Sequence, residues 1–291
     1  MHAYDKEGNP RYKVIGKNGK ERDTRITDVI QQGWYPSVTE VDSATSSKDW
    51  LTTWKINQAV EWCIANPFNI ETYSVDEYLS LARDGSDKGS NKAIGFGTAI
   101  HDAIENYLLH RKLPDLEEDP WNLKEFFPPV REYLDKNIGE VVFSEACRTI
   151  PEFGIGGTID LKCHHNTYGL ILGDFKTQKV PRKVRASGDV NLVPRVDDKW
   201  IRQLALYAAM DQVYENKDVR TNLKHILSLE DIDPLTQTPC ISIVIDSVEP
   251  GYIKEILWEN ENQVWGLKSA LANIRAWCLS KRYNPPGCLL T

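Results

Sequence analysis

Hydrophobic and polar positions change rhythm partway along this chain. Over residues 48–65 (KDWLTTWKINQAVEWCIA) apolar side chains recur every three or four positions, the spacing of an amphipathic helix. Similar spacing predicts helices over 95–108, 129–137, 197–213 and 259–278. Ser37-Val-Thr-Glu40 and Ser74-Val-Asp-Glu77 are capping boxes, in which a hydroxyl and a carboxylate each take an unpaired backbone N–H at a helix start. From about Glu140 the period falls to two. Residues 141–149, 154–164 and 169–176 read as strands joined by short turns, and 240–246 (CISIVID) as a further alternating strand. Near the N-terminus RYKVI and ERDTRIT flank Lys17-Asn18-Gly19-Lys20, and the Asn-Gly pair predicts a hairpin over 11–28. Asp84–Asn91 (DGSDKGSN) has the composition of a loop.

These elements describe one α/β domain over 1–291. An N-terminal hairpin reaches residue 35, and a helical region covers 36–138. A sheet core with its long helix covers 139–250, and a helical segment closes the chain over 251–291. At 291 residues, 41% of them hydrophobic, the chain is long enough to bury a full core. The start (MHAYDKEGNP) is polar, and no apolar run approaches the roughly 20 residues of a membrane span, so the expected setting is the cytoplasm without membrane contact. Cys63, Cys147, Cys163, Cys240, Cys278 and Cys288 lack CxxC spacing and are expected to be reduced thiols. Gly154, Gly156 and Gly157 precede a strand rather than a helix, and no GxxxxGK[ST] loop occurs, so no nucleotide cofactor is expected. The net charge of −7 argues against a protein that coats nucleic acid, but not against an enzyme meeting it on a local basic surface.

Candidate chemistry lies on the predicted strands. On the first, Ile155, Ile159, Leu161 and Cys163 are expected to share an apolar face with Asp160 on the other; on the second, Asp174 and Lys176 share one face. A hairpin centred on Thr167 sets Asp160 opposite Asp174. Opposed Cβ atoms lie ~4.5–5.5 Å apart, and two carboxylates there repel by roughly 3 kcal/mol at an effective dielectric of about 20. Lys176 offsets part of that repulsion, and a shared hard cation such as Mg²⁺ would complete the balance. Taken alone, the same spacing fits a surface hairpin carrying a solvated Asp–Lys pair. His101, likewise, taken alone reads as a core histidine, and Gln203 with Tyr207, one helical turn apart, as a buried polar pair.

Asp160, thirteen intervening residues and then Asp174-Phe-Lys176 resemble the signature of the PD-(D/E)XK nuclease superfamily. Ile159 stands in place of the proline, as is usual in the RecB-like branch, whose G-x-x-D pattern resembles Gly157-Thr-Ile-Asp160. Gly97-Thr-Ala-Ile-His101-Asp-Ala-Ile-Glu105 resembles that branch's upstream histidine motif, and Gln203-Leu-Ala-Leu-Tyr207 its downstream Q-x-x-x-Y helix. Tyr35-Pro-Ser-Val-Thr39 looks like the entry segment of phage-type and mitochondrial genome-maintenance exonucleases. The resemblance covers residues 35–210 or so.

It implies a restriction-endonuclease-like core, a small mixed sheet flanked by helices, with a helical N-terminal half. It also implies Mg²⁺- or Mn²⁺-dependent hydrolysis of DNA, by an exonuclease of phage or host recombination, replication or repair. Asp160, Asp174 and Lys176 would be catalytic. His101, Asp160, Asp174 and the backbone carbonyl of Phe175 would hold metal. Glu145, on the strand before Asp160, is either a third acidic ligand or an ordinary salt-bridge partner. Gln203 and Tyr207 would support the site or contact substrate. Some related nucleases carry an iron–sulfur cluster on four cysteines; here only Cys278 and Cys288 lie near the C-terminus, so none is expected. Lys176, Lys179, Arg182, Lys183 and Arg185 put five cations in ten residues with no acid among them, either a DNA-backbone contact or a solvated loop. The expected partner is DNA, single-stranded or at ends, with a recombinase or single-strand-binding protein as a further candidate. The rival readings are a structure-specific endonuclease and a non-catalytic DNA-binding accessory with a vestigial site.

Overall fold

The computed structural model of the chain describes residues 1–45, 49–184, 190–229 and 231–290. The N-terminal part comprises β1 (Ala3–Tyr4), β2 (Lys13–Ile15), β3 (Glu21–Asp23), α1 (Ile26–Gln32), β4 (Tyr35–Pro36) and α2 (Val38–Thr45). Three helices follow, α3 (Asp49–Ala65), α4 (Val75–His110) and α5 (Leu123–Asn137). Next come β5 (Ile138–Ile150), β6 (Ile155–His165), β7 (Gly169–Gln178), β8 (Arg182–Val184) and β9 (Val190–Leu192). The chain continues through α6 (Asp198–Glu215), α7 (Lys217–Leu229), β10 (Cys240–Asp246), β11 (Ile253–Trp258) and α8 (Asn260–Lys281). No helix among the described residues is long and apolar enough to cross a membrane.

The fold is mixed α/β, built on one five-stranded sheet in the order β11-β10-β7-β6-β5. β7 and β10 run parallel and the other neighbours antiparallel. Apolar side chains on one face pack against α2, α6 and α8, around Leu204, Ile274 and Trp277. Those on the other pack against α4 and α5, around Ile100, Phe127 and Leu134. β10 lies between two strands and under both layers, so every residue in it is buried and the half-exposed alternation expected for 240–246 does not occur. β11 adds an edge strand inside the C-terminal segment expected to be helical, and α7 fills a stretch for which no element was expected.

The β6–β7 ladder pairs Leu161 with Gly173 and His165 with Gly169, a hairpin centred on Thr167 as its turn residues led us to expect. The expected shared face of Ile155, Ile159, Leu161 and Cys163 is not found. Ile155 and Ile159 pack on the α6 side, whereas Leu161 and Cys163 pack on the α4 side. Side-chain alternation along β6 therefore inverts at Asp160. β5 inverts beside it: Phe143 and Arg148, of opposite parity, lie on the same face, with the Arg148 guanidinium 5.3 Å from the Phe143 ring and 4.2 Å from Tyr214 of α6. An irregularity in two neighbouring strands re-aims the side chains it contains.

The helical half differs from expectation in three places. Residues 84–91 form no loop; α4 runs unbroken for 36 residues. Its glycines serve helix packing, since a Cβ at Gly85 would strike the Trp62 ring and one at Gly89 the Gln58 side chain. α3 forms where its period placed it but buries none of its described residues, leaving Ile56, Val60 and Ile64 exposed. α5 begins at Leu123 rather than at 129, carrying Pro128 and Pro129 inside it, because Phe126, Phe127 and Val130 need its earlier turns to reach the core. The N-terminal hairpin forms, with its tail continuing into α1. Both capping serines accept the expected amide, Ser37 from Glu40 and Ser74 from Glu77, and the Glu77 carboxylate accepts in turn from Ser74 N–H.

Candidate metal centre

The elements that matter meet where the β6–β7 ladder ends. Beyond the Leu161–Gly173 pair the two strands part, and Asp160 Oδ2 accepts the Phe175 amide at 3.1 Å. His101 arrives on α4, its Nδ1 3.8 Å from Asp160 Oδ2 and 3.9 Å from Glu145 Oε1. The helix comes this near because Gly97, one turn before His101, lies against the Thr177 hydroxyl. One ligand atom from each of His101, Glu145 and Asp160 lies within 4.8 Å of the others. Among the described residues this is the one such group of three histidine, cysteine or acidic side chains.

Asp174 and Lys176 face α6. The Lys176 ammonium donates to Asp174 Oδ1 at 2.7 Å and to Gln203 Oε1 at 3.1 Å, and Gln203 Nε2 donates to the Tyr207 hydroxyl at 3.3 Å. Tyr207 is buried over Gly157, where a Cβ would lie 2.6 Å from its ring. Gln203 and Tyr207 therefore hold the lysine from behind. Asp174 is 1% exposed, and its Oδ2 also lies 2.7 Å from the same ammonium, so both carboxylate oxygens face one cation.

Electrostatics mark the cluster as short of positive charge. Burial drives the Asp174 carboxyl up to about 7; Lys176 opposes that rise and the Asp160 charge adds to it. Asp160 is raised by burial and by Glu145, against His101, Lys176 and the Phe175 amide. Burial opposes protonation of His101, yet Glu145, Asp160 and Asp174 outweigh it and raise that imidazole above its ordinary value. The oxygen-rich donor set of Glu145 and Asp160 with one imidazole from His101 fits a hard divalent cation. The two-residue picture of the metal pair needs amending: Asp160 sits with His101 and Glu145, while Asp174 is engaged by Lys176.

Of the remaining expected residues, Phe175 packs its ring edge-on toward His101, 6.1 Å between centroids. Lys179 is exposed, 3.9 Å from Glu61 of α3. Arg182 is engaged, 2.9 Å from Glu249 and 3.5 Å from buried Asp246. Lys183 is exposed on β8, and Arg185 lies outside the described residues. An acid-free run in sequence thus meets acids in space.

Three further side chains near the site lie outside the expected set of site residues. Glu105, one turn beyond His101, has its carboxyl raised by burial and by Glu145 and Asp102. Lys162 and buried Asp211 pair at 2.6 Å beside the site. Asp211 follows Tyr207 at the interval by which Tyr207 follows Gln203, and that continued spacing was the available signal. No protein-family model matches this chain, and no curated protein matches it.

Proposed function

We propose that this chain is a divalent-metal-dependent DNA nuclease of the PD-(D/E)XK kind, RecB-like in its motifs, and that it acts as an exonuclease. One observation carries the reading. The sequence motif residues Asp160, Asp174 and Lys176, 160 and 174 being far from 101 along the chain, are drawn together with His101 at a single opening of the sheet. A solvated surface hairpin accounts for neither the burial of Asp174 nor the approach of His101 Nδ1 to Asp160 Oδ2.

His101, Asp160, Glu145 and Asp174 would hold Mg²⁺ or Mn²⁺, with the Phe175 carbonyl as a further donor. When bound, the cation supplies positive charge for the phosphate and a more acidic water. Lys176, steadied by Gln203 and Tyr207, keeps an ammonium beside that position to neutralise charge developing on the phosphate or to orient water. The substrate class follows from the motif resemblance, and the proposed partners are DNA and, beyond it, proteins of recombination or single-strand binding in the cytoplasm.

The deciding experiment is turnover of labelled DNA with Mg²⁺ or Mn²⁺ and with EDTA. EDTA should abolish cleavage and either ion restore it. Asp174→Asn and Lys176→Ala should each lose at least about 100-fold in rate, the scale of losing one transition-state stabiliser. Near-normal activity in either variant would remove the assignment.

A further inference from the structure

Among the described residues, four other than glycine have left-handed backbone: Arg111, Asn122, Glu145 and Arg282. Arg111 and Arg282 close helices, where such a conformation is ordinary, and Asn122 is a residue type that tolerates it. Glu145, with φ of 51°, stands inside β5. An L residue there is crowded against its own backbone, and a long side chain gains nothing locally to offset this.

Its position coincides with the inversion of alternation. The register brackets it between the pairs Ser144–Leu161 and Ala146–Ile159, so Glu145 and Asp160 fall opposite each other. In a regular strand Glu145 would share a face with Phe143, toward α6 and away from the helix carrying His101. With the left-handed turn, its Oε1 lies instead 3.9 Å from His101 Nδ1.

We propose that the strained backbone at Glu145 is the device that delivers its carboxylate to the metal centre, and that the fold gives up stability to keep it there. This rests on the metal-centre reading above, which already counts Glu145 among the donors, and adds how the backbone brings it there. Glu145→Ala keeps the strain and removes the carboxylate; Glu145→Gly removes both; Glu145→Asn tolerates the left-handed region without a charge.

The test combines thermal melts in EDTA with calorimetric titration of Mn²⁺ into the full chain. Glu145→Gly should melt about 2 °C above Glu145→Ala. That order reverses the rule for a regular strand position, where glycine is the less stable. Should the glycine variant fail to fold, Glu145→Asn should melt above Glu145→Ala in its place. All three variants should bind Mn²⁺ at least about 10-fold more weakly than the wild type, the scale of losing a coordination partner. Glycine and asparagine both melting at or below alanine would overturn the strain argument. Wild-type Mn²⁺ affinity in Glu145→Ala would overturn the donor assignment while leaving the metal centre intact. A wild-type chain that takes up no Mn²⁺ would instead overturn the metal centre, and this inference with it.

Discussion

Asp174 shows most clearly what individual residues contribute. Its carboxyl titrates near 3.8 in an unfolded chain and near 7 in the fold, where burial penalises its charge. As pH rises from about 4 to about 7 without metal, the unfolded state releases this proton and the folded state keeps it, so stability falls through that window and levels off above it. Urea midpoints in EDTA between pH 5 and 8 should decline with pH. Asp174→Asn should remove part of the slope, and the other raised groups, Asp160, Glu105, Asp211 and His101, should supply the remainder. Excess Mg²⁺ should flatten it, since a bound cation compensates the ionised form. Equal slopes in wild type and variant would show that Asp174 titrates normally. Asp160, Asp174 and Lys176 were legible in the sequence because a hairpin's centre fixes which residues oppose. Glu145 could be read only as either a ligand or a salt-bridge partner, because no local signal announces a left-handed φ at a glutamate.

Among the elements, the β7–β8 connection illustrates how charge read along a chain differs from charge in space. Lys179 and Lys183 are exposed, whereas Arg182 ties the β8–β9 hairpin to Asp246 and Glu249. Exposed pairs such as Lys179–Glu61 are weak, so Lys179 is available to a phosphate. Reversing Lys179 and Lys183 to glutamate should lower the salt dependence of DNA binding by about 0.7–0.9 for each phosphate no longer neutralised. Arg182→Ala should leave that slope unchanged. A double reversal that does not alter the slope would assign the lysines to solvent. The same limit applies to α4. Its Gly-Ser-Asp stretch reads as a loop because composition reports backbone freedom, whereas Trp62 and Gln58 on another helix decide that the freedom is not used.

For the whole molecule, the α/β class and most strands followed from periodicity, but the sheet order did not. β10 enters beside β7 through a long crossover, and pairing between residues some seventy positions apart leaves no local pattern. If helices around the sheet enclose a passage for the strand, as in the exonucleases whose motifs this chain resembles, DNA must thread from an end. Linear DNA should then be degraded to short products in Mg²⁺ while a covalently closed circle of the same sequence survives. A circle cut as fast as the linear form would favour an endonuclease. Resistance of both would favour a binding protein with a vestigial site.

α4 has a mechanical consequence. Its 36 residues make a rod about 54 Å long. From Phe96 to Leu108 the rod is seated in the core beside the sheet, and His101 lies in the middle of that seat. Before Phe96 it runs out along α3 toward its cap at Ser74. For any rigid tilt about the seated segment, displacement grows with distance from it, so the far end sweeps a wide arc while the imidazole scarcely shifts. Under such a tilt the rod would work as a reducing gear, passing a large excursion at its outer end to the carboxylates as a small one.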